Sequence, residues 1–469
     1  MSDIKYDGRI LAHVILEAET PLVISSGVKN LLTDSPILKD VNGFPYIPGT
    51  SIAGVIRHNL GEDKAKMCFG FKDGQNRKND DLANGSEIIF SEAKVLGLDG
   101  TVLDGIVDLD TIDQDLVKRF SKLPKRNHVR ISDKGVAENH GKFDEEVIYK
   151  GTRFAFDIEL VTSSANDKSG CFSDVLTELR KETFRIGGGS RSGFGKVKVV
   201  SIRKKEFDLH KAEDLDEYLK TSSSLSVDHF TWDEVNDVAD ITDGWVRYDL
   251  TLTPEDFFLF GAGFGDKDVD DVAVREPFIV WENGRGRFKD GAILVPAASL
   301  KGALSHRTAF HYNVKHRVFA MKINYYDYDH NDFVKHSGNY NGAVRELFGY
   351  QDEDSEISQR RGLCLFNDII GEYDTEEKVL NHVSIDRFTG GAIDGALFSE
   401  KVVEGKDRKL EFKTSIIVKK PSKQSEMFAE ALDCLEKALN DIDRGTLPLG
   451  GGSGRGHGIF KCKWTKTEL

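Results

Sequence analysis

The sequence predicts an α+β fold that consists of two similar units in tandem. Five blocks of sequence recur in the same order about 250 residues apart, which indicates an internal duplication. Within each unit, short segments of alternating hydrophobicity surround one short helix and lead into a glycine-rich turn. The chain is also long, because 469 residues exceed what a single compact core usually holds. This combination favours two ferredoxin-like units of the split βαβ type with inserted loops.

The clearest repeated block is glycine-rich and lies near the end of each unit, as FRIGGGSRSGFGKVKV (184–199) and LPLGGGSGRGHGIFKCKW (447–464). A second block lies near the front, as PGTSIAG (48–54) and PAASLKG (296–302). Three more pairs lie between them: CFGF (68–71) with LFGY (347–350), GSEIIFSEA (85–93) with GLCLFNDI (362–369), and HVRISDKGVAENHGKF (128–143) with HVSIDRFTGGAIDGALF (382–398). Five pairs in one order favour a duplication over two unrelated domains with similar loops.

The repeat also places the domain boundaries. The first unit covers residues 1–203, an acidic and serine-rich linker covers 204–243, and the second unit covers 244–469. The linker shows little apolar periodicity and contains one short predicted helix, from Ala212 to Leu219. Each unit opens with an alternating strand before a proline, RILAHVILEAETP in the first and WVRYDLTLTP in the second.

Each unit contains one helix start that suits a phosphate. The patterns predict helices over 50–60 and 299–311, with Thr50 and Ser299 as N-cap candidates. A helix N-terminus offers free N–H groups and the positive end of the helix dipole to an anion. The candidate binding residues on these helices are Thr50, Ser51, Arg57, Ser299, Lys301 and Arg307. The alternative is a pair of ordinary capped helices with solvated cations.

The glycine-rich loops match neither familiar nucleotide-binding pattern. They lack the GxxxxGK[ST] spacing of a phosphate loop and the GxGxxG spacing of a dinucleotide fold. Glycine nevertheless lets successive backbone amides approach an anion closely, and a neighbouring arginine suits phosphate. The candidate residues are Gly188, Gly189 and Arg191 in the first loop and Gly451, Gly452 and Arg455 in the second. The alternative is a hairpin connection without a ligand.

Overall charge argues against a nucleic-acid binder, because 64 Lys and Arg face 78 Asp and Glu, a formal net charge of −14. Binding depends, however, on where the cations lie. The run KRFSKLPKRNHVR (118–130) holds three Lys and three Arg and no acid. Lys125, Arg126 and Arg130 are therefore candidate contacts to a nucleic-acid backbone. The alternative is a solvated basic surface.

The sequence indicates a cytoplasmic protein without membrane segments. No stretch approaches about 18 uninterrupted apolar residues, and the first residues lack the pattern of a signal peptide. The five cysteines are scattered and form no CxxC pair. We therefore expect neither a disulfide framework nor a zinc knuckle.

Taken together, the motifs resemble the RAMP superfamily, whose members form the backbone of CRISPR effector complexes. The resemblance is carried by the helix-start blocks, the LFG turn, the GSEIIFSEA-type strand, the HVSID-type segment and the glycine-rich loops. It is strongest to the repeated backbone subunit of type III complexes, here present twice in one chain. It implies ferredoxin-like (RRM-like) domains with projecting thumbs, which bind guide RNA and often cleave target RNA. Ala53 replaces the usual Lys, which Lys301 keeps, so we expect unequal contributions from the two units.

The resemblance further implies a catalytic aspartate in the loop after the first strand, shortly before a Ser-Pro-Ile pattern. Asp34 stands at that place in LTDSPILKD (32–40). It is expected to act as a base or to hold a divalent cation, with Mg²⁺ as the expected cofactor. An exposed carboxylate that caps a turn is the alternative.

In the second unit, Arg275 takes the place that matches Asp34, which argues against an identical site. An acidic loop lies just upstream, however, and Asp268 follows Gly261 at the spacing at which Asp34 follows Gly27. Asp266 and Asp268 are therefore the candidates for a second cut. The alternative is a solvated acidic loop.

The sequence thus predicts an RNA-guided endoribonuclease subunit of a type III CRISPR ribonucleoprotein. Its partners would be guide RNA, single-stranded target RNA and other effector subunits. One alternative is an RNA scaffold that does not cleave. Another is an endoribonuclease that processes the guide, for which His58 is the only candidate near the first helix. A third, a protein that binds small anions or nucleotides, is disfavoured by the loop spacings.

Overall fold

The computed structural model describes residues 6–28, 33–72, 83–131, 136–163, 167–225, 231–236, 244–319, 336–351, 359–406, 409–423 and 425–469. Strands of the first half are β1 (Gly8–Ala18), β2 (Phe71–Lys72), β3 (Ala83–Asn84), β4 (Ile88–Phe90), β5 (Lys94–Val95), β6 (Lys125–Ile131), β7 (Ala137–Glu146), β8 (Arg153–Thr162), β9 (Val197–Asp208) and β10 (Asp233–Glu234). Its helices are α1 (Gly49–Leu60), α2 (Glu62–Phe69), α3 (Gln114–Ser121), α4 (Ser169–Arg180) and α5 (Ala212–Tyr218).

The first half is built on an antiparallel sheet with the strand order β10-β9-β1-β8-β4, and β5 also pairs with β8. The alternation of GRILAHVILEA buries Ala12, Val14 and Leu16 on one face of β1. Helix α1 follows β1 in the chain, and α4 connects β8 to β9. Both helices bury an apolar stripe in the core that this sheet forms.

Strands of the second half are β11 (Trp245–Pro254), β12 (Asp271–Val272), β13 (Arg275–Glu282), β14 (Arg285–Val295), β15 (Gly349–Gln351), β16 (Gln359–Arg361), β17 (Cys364–Leu365), β18 (Ile369–Gly371), β19 (Thr375–Ile385), β20 (Ala392–Gly405), β21 (Phe412–Lys419) and β22 (Phe460–Glu468). Its helices are α6 (Ala297–Lys315), α7 (Gly342–Leu347) and α8 (Glu426–Asp443). Short 3₁₀ turns lie at Leu109–Thr111, Gly338–Tyr340 and Ser453–Arg455.

The second half repeats the connectivity of the first. Its main sheet has the order β17-β21-β11-β22, and all three pairings are antiparallel. In each half the opening strand, β1 or β11, lies inside the sheet with the last strand, β9 or β22, beside it. A helix precedes the edge strand β4 or β17 in the chain, and another helix precedes the last strand. The topology therefore repeats, as the duplicated sequence blocks predict.

The helix starts differ in detail from the prediction. α1 begins at Gly49 and α6 begins at Ala297. The N-cap residues are Pro48 and Pro296, and neither makes a side-chain capping hydrogen bond. The predicted Thr50 and Ser299 N-caps are therefore wrong, because both residues lie inside the first turn. A Cβ on Gly49 would come within 2.5 Å of Phe90 O, so this close packing of α1 on β4 requires glycine.

The region predicted as a linker is partly structured. Its predicted helix corresponds to α5, one residue shorter at the C-terminal end. β9 continues to Asp208, so the predicted boundary after residue 203 falls within a strand. β10 pairs with β9 and extends the same sheet.

Two long hairpins project from the sheets. The first hairpin (125–146) is formed by β6 and β7, and the second hairpin (375–405) by β19 and β20. Both carry exposed apolar side chains, among them Val129 and Phe143 in the first and Leu397 and Phe398 in the second. These hairpins lie where the family resemblance implies thumbs.

The two halves pack closely against each other through the β13–β14 hairpin. Ile279 belongs to the core of the first half, and Trp281 and Phe288 pack against that core. The Ile279 amide donates to Lys150 O at 2.8 Å, and the Trp281 indole donates to Gly151 O at 2.7 Å. Part of the second half thus completes the core of the first.

Among the described residues, no helix combines the length and the apolar composition that a membrane span requires. All five cysteines are free thiols and buried, in agreement with the expectation that they form no disulfide framework.

Candidate nucleic-acid interface

A groove of about 580 Å³ joins the first turn of α1 to the first glycine-rich loop and to the second half. We call it the junction groove. Its lining includes Thr50 and Ser51 from α1, Arg191 from the glycine-rich loop, and Arg361 and Lys419 from the second half. The structure therefore brings three predicted phosphate-binding residues together and adds two cations from the second half that sequence reasoning missed; Lys181 and Arg185 of the first half also line the groove. Arg361 and Lys419 lie outside every glycine-rich or helix-start motif, so no sequence signal identified them.

Cationic side chains in and beside the junction groove repel one another electrostatically. Burial lowers the pKa of Arg191, and the like charge of Arg361 lowers it further. Burial also lowers the pKa of Lys301, with a further contribution from the charge of Arg191. Burial lowers the pKa of Arg185 to about 10. A phosphate bound among these side chains would relieve the repulsion, because it supplies the opposite charge.

The glycine-rich loops use part of their backbone internally. The amide of Gly188 donates to Val23 O at 2.8 Å, and that of Gly451 donates to Leu259 O at 2.7 Å. A Cβ on Gly187 would come within 2.3 Å of the same Val23 oxygen. The predicted anion nest is therefore wrong for the amides of Gly188 and Gly451, which hold the loop against the segment after the first strand. Gly189 and Gly452 both have positive φ, +63° and +71°, as the tight turn requires.

Several predicted RNA contacts already pair with carboxylates of the protein itself. Arg126 is buried between Glu276 and Asp368, so the prediction that it contacts an RNA backbone is wrong for this structure. Arg455 donates to Glu400 at 2.5 Å, and Arg307 donates to Asp441 at 2.5 Å. Arg455 is nevertheless exposed, and Arg307 and Arg191 are partly exposed. The other predicted side chains that are exposed or partly exposed are Thr50, Ser51, Arg57, Lys125, Arg130, Ser299 and Lys301; of these, Arg130 pairs with Glu138 at 3.0 Å.

The basic run 118–130 therefore does not form one continuous patch. Arg119 pairs with Asp115 and Asp290, whereas Lys118, Lys122 and Lys125 are exposed. The run lies across α3 and the start of β6, so its side chains leave in different directions. A run in sequence predicts charge density, but only the fold decides which face the charges share.

The N-terminus of α6 already faces a carboxylate. Asp368 Oδ1 accepts a hydrogen bond of 2.7 Å from the Ala297 amide, and Arg126 donates to the other oxygen. This carboxylate occupies the position at which a phosphate was predicted to bind. Ser299 instead lines a second cavity of about 840 Å³, which lies between the first hairpin and the second half and also contains Lys125 and Asp266.

Asp34 is locked to the first hairpin by reciprocal hydrogen bonds. Its amide donates to Asp144 Oδ1 at 2.8 Å, and the Asp144 amide donates back to Asp34 Oδ2 at 3.3 Å. The next residues, Ser35 and Glu145, form a parallel bridge. The hydrogen bond from the Asp34 amide lowers the pKa of Asp144, with help from Lys125 and other nearby groups. Asp34 itself is exposed at this junction.

The second half repeats this arrangement at Asp270. The Asp270 amide donates to Ser399 O at 3.0 Å, and the Ser399 amide donates to Asp270 Oδ2 at 2.8 Å. The next residues, Asp271 and Glu400, again pair in parallel. Asp270 is therefore the structural counterpart of Asp34, and sequence reasoning missed it.

Asp266 and Asp268 do not occupy the counterpart position. Asp266 accepts from the amide of Asp268 within a turn and from Lys401 at 2.7 Å, and this hydrogen bond with Lys401 lowers the pKa of Asp266 to about 2. Counting from the glycine failed because Asp270 lies nine residues after Gly261, two more than the spacing in the first unit.

The donor set at Asp34 fits the expected Mg²⁺. Asp34 and Asp144 bring two carboxylates to one exposed edge, and Mg²⁺ prefers oxygen ligands from one or two carboxylates completed by substrate phosphates. In the second half Ser399 takes the place of Asp144, so that site has one carboxylate fewer. This difference agrees with the expectation that the two units contribute unequally.

The sequence is similar to those of known proteins. Over 227 residues, it is 23% identical to a protein of Methanocaldococcus jannaschii named CRISPR system Cms endoribonuclease Csm3, an alignment that covers 43% of this chain and 83% of the relative. A chain of a type III-B Cmr-beta cryo-EM structure in the apo state is 18% identical with a TM-score of 0.30, and the match covers 40% of this chain and 96% of that one. The sequence profile of the RAMP superfamily matches residues 15–198 and 283–461. Because these two regions make up most of the chain, the protein belongs to the RAMP superfamily.

Proposed function

We propose that this protein is a backbone subunit of a type III CRISPR ribonucleoprotein that binds guide RNA and cleaves complementary target RNA. The observation that carries the proposal is the aspartate locked to a projecting hairpin, at Asp34 in the first half and at Asp270 in the second. Membership of the RAMP superfamily and the similarity to a protein named as an endoribonuclease support it.

Each half is a ferredoxin-like, RRM-like RAMP domain in this proposal. The strand order supports the assignment, because the opening strand lies between the last strand and the third strand of a βαββαβ unit in both halves. The domains correspond to the predicted units 1–203 and 244–469, with β9 extending the first to Asp208. The two hairpins are the thumbs of these domains.

The guide RNA binds in the junction groove. Arg191, Arg361 and Lys419 contact its phosphates there, and the first turn of α1 contributes Thr50 and Ser51. The contacts involve backbone phosphates, so sequence selectivity comes from base pairing between guide and target. The other partners are the target RNA and neighbouring effector subunits, and we expect the complex in the cytoplasm.

Cleavage takes place where the loop meets the hairpin. The reciprocal hydrogen bonds hold the Asp34 carboxylate at a fixed, exposed position, where it accepts the proton of the attacking hydroxyl or holds the cation. Asp144 is the residue that would share the cation with Asp34. When bound, Mg²⁺ would stabilise the negative charge that develops on the phosphate.

The test is target cleavage by the assembled ribonucleoprotein with the variant Asp34→Ala. We expect the variant to assemble with the same guide RNA and to lose one of the cuts that the unmodified complex makes. The matched control is Asp40→Ala, a turn carboxylate of the same loop that accepts from the amides of Asn42 and Phe44. If every cut survives in Asp34→Ala, the protein is an RNA scaffold. If the chain alone cuts precursor guide RNA and His58→Ala abolishes that activity, it is a processing enzyme.

A further inference from the structure

Three side chains of metal-ligand type meet at the base of the second hairpin. His382 on β19 directs Nε2 at Glu400 Oε1 on β20 from 2.8 Å, and His457 of the second glycine-rich loop directs Nε2 at the same oxygen from 3.1 Å. Ligand atoms of the three residues lie within 4.8 Å of one another. Glu400 is only 1% exposed and His457 8%, whereas His382 is 23% exposed, so the cluster is largely shielded from water.

We propose that His382, Glu400 and His457 bind a divalent transition-metal ion of the Zn²⁺ type. Two imidazoles and one carboxylate are a common ligand set for Zn²⁺, with metal–ligand distances of about 2.0–2.2 Å and tetrahedral geometry. Such distances place neighbouring ligand atoms about 3.3 Å apart, so separations of 2.8 and 3.1 Å need only small adjustments. Mg²⁺ is a poor fit because it prefers ligand sets made of oxygen alone.

Asp271 on β12 is a neighbouring carboxylate outside the group of three ligand atoms that lie within 4.8 Å of one another. It pairs with Glu400 in the parallel β12–β20 ladder, which places both side chains on one face. Its Oδ1 is buried and has no hydrogen-bond partner among the described residues, although buried carboxylate oxygens are normally satisfied. A Cβ on Gly261 would come within 3.1 Å of this oxygen, so the glycine leaves room for the carboxylate.

Arg455 orients the ligand carboxylate. Its Nη2 donates to Glu400 Oε2 at 2.5 Å, and its Nε lies 3.2 Å from Oε1. Oε2 therefore stays with the guanidinium, while Oε1 accepts the longer hydrogen bond from Nε and also faces both imidazoles. Ligand carboxylates are commonly held by such outer hydrogen bonds, which fix their orientation toward the metal.

The first half contains the same pair but lacks the third ligand. His128 Nε2 lies 2.8 Å from Glu145 Oε1, and these residues match His382 and Glu400 in the two hairpins. Where the second glycine-rich loop has His457, however, the first has Phe194. A metal bound in the second half alone would cross-link β19, β20 and the glycine-rich loop, and would fix that hairpin on its domain.

This comparison provides a matched variant, His457→Phe. The ring of Phe194 packs on Gly189 as that of His457 packs on Gly452. A Cβ added to Gly189 would lie 2.3 Å from Phe194 Cδ2, and a Cβ added to Gly452 would lie 2.5 Å from His457 Cδ2. A phenylalanine at position 457 therefore fits the loop, and His457→Phe recreates the arrangement of the first half.

In the test, the full chain is stripped of metal with a chelator and reloaded with Zn²⁺ or Co²⁺ in the presence of excess Mg²⁺. The Zn²⁺ content of the first sample and the visible absorption spectrum of the second are then measured. We expect the unmodified chain to retain one equivalent of Zn²⁺ more than His457→Phe, and its Co²⁺ form to show the visible absorption of a tetrahedral site that the variant lacks. A second variant, Glu400→Gln, should lose the same equivalent.

Equal metal content and equal Co²⁺ spectra in the unmodified chain and both variants would overturn the proposal, and the cluster would then be a hydrogen-bonded network. Circular dichroism of each variant establishes that the chain is folded. Neither measurement requires RNA, so the result is independent of the proposed function.

Discussion

Arg126 and Glu276 form a buried, two-pronged ion pair across the boundary between the two halves. Nε and Nη2 of the guanidinium donate to the two carboxylate oxygens, and the Nη2–Oε2 distance is 2.8 Å. Nη1 donates to Asp368. Burial opposes the charge, but the two carboxylates raise the pKa of Arg126 above its ordinary value. A single arginine thus pairs with two buried acids of the other half.

The first prediction concerns the stability that this ion pair provides. Arg126→Met should lower the free energy of unfolding by about 3–5 kcal/mol, because it leaves two buried carboxylates without a cation. Urea denaturation followed by circular dichroism measures the change. The control is Arg130→Met on the same strand, an exposed cation whose pairing with the partly exposed Glu138 implies a change of at most about 1 kcal/mol. Equal losses in the two variants would contradict the prediction.

Arg126 also illustrates how far the sequence could predict the site. The alternating strands and the repeated blocks are local patterns, so they predicted the fold class and the helix over 212–219. The role of Arg126 depends instead on Glu276 and Asp368, residues far away in the sequence that only the packing of the halves brings together. Asp34 was predicted from a local motif that resembles the family's. Asp270 was missed because a change in loop length displaced it, while its pairing with Ser399 was preserved.

A second prediction concerns the contact between Gly151 and Ile279. Gly151 has a φ of +84°, and a Cβ there would lie 1.9 Å from Ile279 O. Gly151→Ala should therefore push β13 away from the first half and lower the free energy of unfolding by more than about 2 kcal/mol. Gly43→Ala is the control, because Gly43 has a φ of +87° and no atom within 4 Å of the added Cβ.

Gly43→Ala introduces only the backbone strain of an alanine at positive φ, about 1–2 kcal/mol. The difference between the unfolding midpoints of the two variants therefore isolates the clash between the halves. If Gly151→Ala were no less stable than Gly43→Ala, the packing of β13 on the first half would not occur in solution.

A third prediction concerns the junction groove. Arg361→Ala and Lys419→Ala should each weaken binding of guide RNA irrespective of its sequence, because the lost contacts are to phosphates. Each should also reduce the slope of log Kd against log salt concentration by about 0.7, the value for one phosphate contact to a single strand. Fluorescence anisotropy with labelled guide RNA over a range of KCl concentrations measures both effects.

The matched control is Lys118→Ala, an exposed cation on α3 outside the lining of the junction groove. Its salt slope should equal that of the unmodified chain. A uniform decrease in all three variants would indicate binding through overall charge and would argue against a defined groove.

The last prediction separates the acidic residues of the second half. Asp270→Ala should remove one cut of the target RNA, because Asp270 repeats the backbone pairing of Asp34 with the adjacent hairpin. Asp266→Ala should leave that cut in place, since Asp266 caps a turn and pairs with Lys401. Denaturing gels of labelled target incubated with the assembled complex measure both results, and the guide RNA that co-purifies with each variant provides the control for assembly. Loss of the cut in Asp266→Ala with retention in Asp270→Ala would mean that position in the loop, and not pairing with the hairpin, determines the catalytic aspartate. If the cut survives in both variants while Asp34→Ala loses its own, only the first half cleaves, and the serine that replaces Asp144 in the second half is the first difference to test, by Ser399→Asp.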